Sequence, residues 1–171
     1  MKTSEIASAE FHSYFKAYMD KVGDVTLKEA LDNGWEDTIS FFEAIPESKL
    51  NYRYADNKWT IKDILLHLID AERAFSYRAL QFARSDNADL EGFDVNVFVE
   101  NAHANLRTLE DLIGEYDAVR QSSIIMYNSF SPETLKRTGK ANSNMLSVRA
   151  AGFLICGHEI HHKEIIKERY L

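Results

Sequence analysis

The longest amphipathic stretch of the chain, residues 60–84, reads TIKDILLHLIDAERAFSYRALQFAR. Its apolar side chains recur every three or four residues, which places them on one face of an α-helix. This face consists of Ile61, Ile64, Leu65, Leu68, Ala71 and Phe75. Thr60 and Asp63 have the spacing of a capping box, because an N-cap threonine accepts a hydrogen bond from the amide three residues on. We therefore predict a helix from Thr60 to about Arg84.

Three other segments repeat this apolar spacing and are also predicted to be long helices. They cover residues 27–44, 102–127 and 147–170. Thr26 with Glu29 predicts a capped start for the first of them, and Pro46 ends it. Ser131 followed by Pro132 predicts the start of a further, short helix.

Two segments between these helices, residues 87–96 and TGKANSNM at residues 138–145, are predicted to be loops. We find no credible strand, so the predicted fold class is all-α, a bundle of four helices. The length favours a single domain over residues 1–171. Residues 1–25 have helical spacing only in part, and we interpret them as an N-terminal arm or short helix.

Composition and charge exclude several functional classes. The net charge is −7 and no basic stripe is present, so we expect no nucleic-acid partner. A single cysteine, Cys156, excludes an internal disulfide and fits a reducing compartment. The N-terminus lacks the apolar core of a signal peptide, and no segment approaches the roughly 20 apolar residues of a membrane span. We expect a cytoplasmic protein without membrane contact.

Three histidines lie close together in the last predicted helix, in GHEIHHKEIIKERYL at residues 157–171. His158 and His162 share the centre of its apolar stripe, and an i, i+4 pair brings the Cβ atoms within roughly 6 Å. They are either buried histidines with hydrogen-bond partners or ligands of one metal ion. His67 lies at the edge of the apolar face of residues 60–84, where Ala71 leaves space beside its ring.

The string His158-Glu159-x-x-His162 also matches a zinc-protease signature. Such a site needs a third ligand, commonly downstream, and Glu159 as the general base. Only nine residues follow His162, all within the same predicted helix. The protease interpretation is therefore disfavoured.

The stretch from Trp59 to Arg84, GFDVNVFV at residues 92–99, and the C-terminal histidine segment together resemble the DinB-like proteins. The similarity extends from about Phe15 to Leu171. It implies an antiparallel four-helix bundle with a metal site at one end. The ligands carried over by the resemblance are His67, His158 and His162, and His161 then flanks the pocket.

The resemblance also implies the chemistry to expect. Members with assigned activity transfer or isomerise substrates with low-molecular-weight thiols such as bacillithiol or mycothiol, and others are described as metal-dependent hydrolases. We accordingly expect a divalent metal, zinc or nickel first and iron or manganese as alternatives, and a small-molecule substrate, such as a thiol. A homodimer and a role in stress response are further expectations, and the alternative is a metal-binding bundle without catalysis.

Several polar residues have two interpretations each. Asp63 and Asp70 could orient the second nitrogen of His67, although helix capping and solvent exposure are favoured for them. Arg78 could hold an anionic substrate, although pairing with an acid of a neighbouring helix is favoured. Glu72 is interpreted as one partner of an ion pair between helices.

His12 and His103 match no partner pattern and are interpreted as ordinary surface or packing residues. Cys156 lies away from the histidine stripe of its helix and receives no catalytic role.

Overall fold

The computed structural model describes residues 1–171 and consists mainly of helices. The α-helices are α1 (Lys16–Met19), α2 (Leu27–Glu43), α3 (Ile61–Arg84), α4 (Val95–Ala102), α5 (Leu109–Asn128), α6 (Pro132–Leu135) and α7 (Val148–Arg169). The strands are β1 (Asp89–Leu90), β2 (Thr138–Ala141) and β3 (Asn144–Ser147). The four long helices α2, α3, α5 and α7 pack into a bundle. No helix combines the length and the hydropathy that a bilayer span requires.

Each long helix begins after a serine or threonine whose side-chain oxygen accepts a hydrogen bond from an amide of the first turn. These residues are Thr26, Thr60, Thr108 and Ser147. At Thr26 and Thr60 an acidic side chain three residues on accepts from the cap's own amide. The predicted capping boxes are confirmed, and the predicted bounds of α2, α3 and α7 are correct to within one residue.

The predicted helix over residues 102–127 begins too early. His103 adopts a left-handed conformation with φ 51°, which ends α4 because a right-handed helix cannot continue through it. After a short 3₁₀ turn, Thr108 caps the start of α5. Leu106 lies inside the predicted helix, yet it ends this 3₁₀ turn and is 87% exposed.

A small sheet corrects the prediction of an all-α fold without strands. Residues 138–145, predicted to be a loop, belong to an antiparallel hairpin of β2 and β3, and β1 from the predicted loop at 87–96 pairs parallel with β2. The hairpin register pairs Thr138 with Ser147, Gly139 with Leu146, Lys140 with Met145 and Ala141 with Asn144. Asn142 and Ser143 both have positive φ, as a tight hairpin turn requires.

The hairpin packs directly on α3. A Cβ atom at Gly139 would lie 2.1 Å from the ring of Phe82, so only glycine allows this approach. Arg137 also donates to the carbonyl of Phe82 at the end of α3, at 3.0 Å. The sheet therefore extends the surface beside α3 and α7 rather than forming a separate unit.

The N-terminal residues form three 3₁₀ turns followed by α1 and cover the same side of the bundle. Arg149 of α7 donates to Glu10 at 2.7 Å, and the ring of Phe15 packs edge-on against Phe75 of α3. The predicted arm is thus a folded segment held by an ion pair and by aromatic contacts.

A buried charged layer crosses the middle of the bundle. Arg120 of α5 donates to Glu72 of α3 at 3.0 Å, to Glu159 of α7 at 2.7 Å and to the carbonyl of Leu31 of α2 at 3.2 Å. Tyr116 donates to the same Glu159 carboxylate at 2.7 Å. The three charged side chains are at most 2% exposed. The interhelical ion pair predicted for Glu72 is confirmed.

The layer divides the apolar core into two clusters. On α3, buried residues up to Ile69 belong to one cluster and those from Ala71 on belong to the other. On α7 the division falls between Cys156 and Ile166, so Glu159 lies at the boundary. Since the C-terminal half of α3 shares its cluster with the N-terminal half of α7, the two helices run antiparallel.

Replacing Arg120 by methionine is expected to lower the free energy of unfolding by about 3–5 kcal/mol, because two buried carboxylates lose their cation. Urea unfolding of the metal-free protein followed by circular dichroism measures this. The control is Arg73→Met, which removes a surface ion pair with Glu115 and should cost at most about 1 kcal/mol. Equal effects of the two substitutions would contradict the structural role assigned to the layer.

Candidate metal centre

Three histidines from two helices converge on one point. His67 belongs to the first half of α3, while His158 and His162 lie one turn apart on α7. The antiparallel packing of these helices brings the three rings together, with ring centroids 4.5–5.1 Å apart. These are the three ligand positions expected from the sequence.

The nitrogen atoms have the spacing of donors around a single cation. His158 Nε2 lies 3.1 Å from His67 Nε2 and 3.0 Å from His162 Nε2, and all three donor atoms lie within 4.8 Å of one another. Two imidazole nitrogens at the usual zinc distance of about 2.0–2.1 Å are themselves roughly 3 Å apart. The geometry therefore fits one divalent ion.

Hydrogen bonds among the three rings cannot satisfy all of the nitrogen atoms that face one another. A neutral imidazole carries one N–H, and the His158 Nε2 atom faces two other ring nitrogens. Whether His158 Nε2 carries a proton or a lone pair, it can form a good hydrogen bond with only one of them, so one N–H or one lone pair in the cluster lacks a partner. A cation accepts all three lone pairs at once, and the donor set fits a metal better than it fits a core hydrogen-bond network.

The surroundings keep the rings neutral. Burial lowers the pKa of His67 to about 4 and that of His162 to about 3. Burial, followed by the neighbouring His162 and His67, lowers the pKa of His158 well below its usual range. At neutral pH all three rings therefore present uncharged nitrogens, which is the state that binds a metal ion.

Aromatic side chains hold the rings in place. The Trp59 ring lies 4.8 Å from that of His67 and stacks near His162 at 6.3 Å. Tyr18 of α1 packs edge-on against His158 at 5.6 Å and against His161 at 5.0 Å. His161 thus points to the N-terminal segment and flanks the cluster, as expected.

Neither acid considered as an orienting partner of His67 contacts its ring. The Asp63 carboxylate accepts from the amide of Thr60 and from the side chain of Asn105. Asp70 pairs with Arg73 at 3.5 Å. The capping role of Asp63 is confirmed, and no carboxylate bonds to the second nitrogen of His67.

Glu159 belongs to the charged layer and forms no hydrogen bond with the three histidines. Its carboxylate is engaged by Arg120 and Tyr116 in the charged layer. Gly34 of α2 provides the space for it, because a Cβ atom there would lie 2.5 Å from Glu159 Oε1. A metalloprotease-like general base at this position is excluded.

The three histidines lie at the edge of a cavity of about 610 Å³. Its aromatic walls are Tyr14, Phe15, Tyr18, Trp59, Phe75 and Phe93. No Asp, Glu or Lys lines the cavity, and Arg78 is its one side chain with a permanent charge. The cluster is therefore accessible to a small molecule in a mostly apolar, carboxylate-free space.

Arg78 does not form the ion pair favoured from the sequence. No carboxylate lies within ion-pair distance, and its guanidinium lies instead over the rings of Phe75 and Phe93, at 5.7 and 5.8 Å. Its side chain is half-buried, and burial lowers its pKa. Arg78 is therefore an unpaired cation in the cavity wall.

Sequence reasoning missed the wall formed by the N-terminal segment and the hairpin. His12, interpreted as an ordinary surface residue, lines the cavity beside Tyr14. A signal was present, since Phe11, Tyr14, Phe15 and Tyr18 have the spacing of one helical face. Nothing local indicated which surface that aromatic face would cover.

Cys156 is buried and free, one residue before Gly157 on α7. Burial raises the pKa of its thiol, and it donates weakly to the carbonyl of Gly152. It does not line the cavity.

Comparisons with known proteins identify a solved structure with the same fold. No curated protein matches the chain. Among solved structures, YfiT from Bacillus subtilis, described as a probable metal-dependent hydrolase with an unusual four-helix bundle topology, superimposes with a TM-score of 0.75. The sequences are 16% identical, and the match covers 83% of this chain and 82% of that chain. The resemblance establishes a shared fold.

A sequence model of the DinB superfamily matches residues 30–166, which include most of α2, all of α3 and α5, and most of α7. The match contains all three converging histidines, and the four-helix bundle agrees with it. The chain belongs to the DinB superfamily.

Proposed function

We propose that the protein is a divalent-metal-dependent enzyme acting on a small molecule, with the metal held by His67, His158 and His162. The observation that carries the proposal is the convergence of three neutral imidazole nitrogens at the edge of a 610 Å³ cavity. A structural metal site is closed by four protein ligands, whereas a catalytic site keeps a position open. No fourth His, Cys, Asp or Glu joins the cluster, which favours catalysis.

The chemistry supplied by the ion, when bound, is Lewis acidity that lowers the pKa of a coordinated thiol or water. The chain's own residues provide the setting. The walls are largely aromatic, and Trp59 and Tyr18 pack against the rings of His67 and His158. His161 has a pKa lowered by burial and by the nearby Lys21, so it is neutral at pH 7 and able to accept a proton.

Thiol transfer is the reaction that we favour. The HExxH metalloproteases use a glutamate as the general base for hydrolysis, and this cavity contains no carboxylate. A thiol with an ordinary pKa of about 8.5 loses its proton far more readily than water does. The description of YfiT as a metal-dependent hydrolase supports hydrolysis as the second candidate.

The untagged protein is expected to contain one metal ion per chain, zinc or nickel first. His67→Ala, His158→Ala and His162→Ala should each lose most of it, because each removes one of three donors. The matched control is His161→Ala, which should retain the metal. Inductively coupled plasma mass spectrometry measures the content, and equal loss in all four variants would show that the ligand set is wrong.

The metal-free protein is expected to lose stability as the pH falls from 7 to 5. An unfolded chain protonates its histidines below about pH 6.5, whereas folded His67 and His162 stay neutral until about pH 4 and 3. The unfolded state therefore binds more protons, and each histidine lowers the free energy of unfolding by up to about 1.4 kcal/mol per pH unit. Urea unfolding in EDTA at several pH values measures the slope.

His67→Phe should make this slope shallower, because the variant lacks one of the buried rings. His103→Asn removes an exposed histidine and is the matched control, since asparagine tolerates the same left-handed backbone. A slope that is identical in His67→Phe and in the unaltered protein contradicts the proposed burial of a neutral ring.

The reaction is tested by incubating the metal-loaded protein with small thiols and 1-chloro-2,4-dinitrobenzene, and separately with p-nitrophenyl esters. We expect metal-dependent formation of the thioether with release of chloride, at a rate that falls at least tenfold in His158→Ala. Ester hydrolysis without thiol consumption would replace thiol transfer by the second candidate. No turnover of either class by a fully metal-loaded protein would favour a binding bundle without catalysis.

A further inference from the structure

The cavity contains a cation without a partner. Of the nine arginines in the chain, seven pair with a carboxylate, and Arg84 is exposed to solvent. Arg78 alone is half-buried and unpaired, with its guanidinium beside Phe75 and Phe93. A partly desolvated guanidinium is retained at a cost in stability, which a bound anion would offset.

The charge around Arg78 selects for an anion. The chain carries 27 acidic residues and a net charge of −7, yet none of its carboxylates lines the cavity. The three histidines are neutral and contribute no negative charge to balance Arg78. The cavity is therefore positive inside an acidic protein, and any bound divalent ion makes it more so.

The cavity has two polar ends that lie far apart, the three histidines at one and Arg78 at the other. His67 and Arg78 are 11 residues apart on α3, so their Cα atoms lie about 16 Å apart along the helix axis. Ala71 and Phe75 line the cavity between them, and Leu146 and Met145 of the hairpin line it as well. A ligand that reaches both ends needs an apolar middle section and two polar termini.

From these observations we infer that the cavity binds an elongated monocarboxylate, with its carboxylate on Arg78 and its reactive end toward the three histidines. A carboxylate matches the two parallel N–H donors of one guanidinium, whereas a phosphate dianion usually recruits further cations, and the cavity wall offers none. The orientation of the reactive end rests on the proposed function; the carboxylate site on Arg78 does not.

The test uses 6-phenylhexanoate and its primary amide as probes, measured by isothermal titration calorimetry with the metal-free full-length protein. The carboxylate is expected to bind at least tenfold more tightly than the amide, because only the carboxylate forms a charge-assisted pair with Arg78. Equal affinities for the two probes would overturn the inference, and this comparison requires no altered protein.

Two variants test whether the preference for the carboxylate depends on Arg78. Arg78→Met keeps an unbranched side chain but removes the charge, and it should abolish the preference for the carboxylate while leaving amide binding unchanged. Arg78→Lys should restore part of the preference, since it returns the charge without the paired donors. A preference that persists in Arg78→Met would also overturn the inference.

A third variant separates this inference from the proposed function. His158→Ala lacks a proposed metal ligand and should keep the preference for the carboxylate in full. Retained metal binding with an intact carboxylate preference would show that the ligand set is wrong and would leave the Arg78 site standing. Loss of the preference in His158→Ala would place the anion at the histidines and contradict the role of Arg78.

Discussion

The buried Arg120 guanidinium is the constraint on which the helix arrangement depends. It meets Glu72, Glu159 and the carbonyl of Leu31, so one charged group connects all four long helices. A buried charge tolerates little displacement of its partners, because each loses solvation that only the others replace. The layer therefore fixes the relative position of α3 and α7 along the bundle.

This fixed position determines where the histidines meet. Glu159 follows His158 directly in the chain, and Glu72 lies five residues after His67, so each helix presents an acid to the charged layer and a histidine to the cavity. Sliding α7 by one turn would leave only one of its two histidines in the cluster, because Leu154 and Ile166 lie one turn beyond the pair. The cavity itself requires two further elements, the hairpin that Gly139 seats against Phe82 and the N-terminal segment that Arg149 holds through Glu10.

The helices and their caps could be predicted because their signals are local. Thr60 with Asp63 and Thr26 with Glu29 act within one turn, and apolar spacing reports the buried face of each helix. The hairpin was missed because its turn uses Asn142 and Ser143 without glycine. The lack of a partner for Arg78 and the cavity wall at His12 arise from packing between segments far apart in the chain, for which no local pattern exists.

The position of Cys156 has a consequence for the thiol transfer proposed above. It is the only thiol of the chain, it is buried with a raised pKa, and the cavity does not reach it. A thiol must ionise and be exposed before it reacts. A reactive molecule that enters the cavity thus meets no thiol of the protein that it could alkylate.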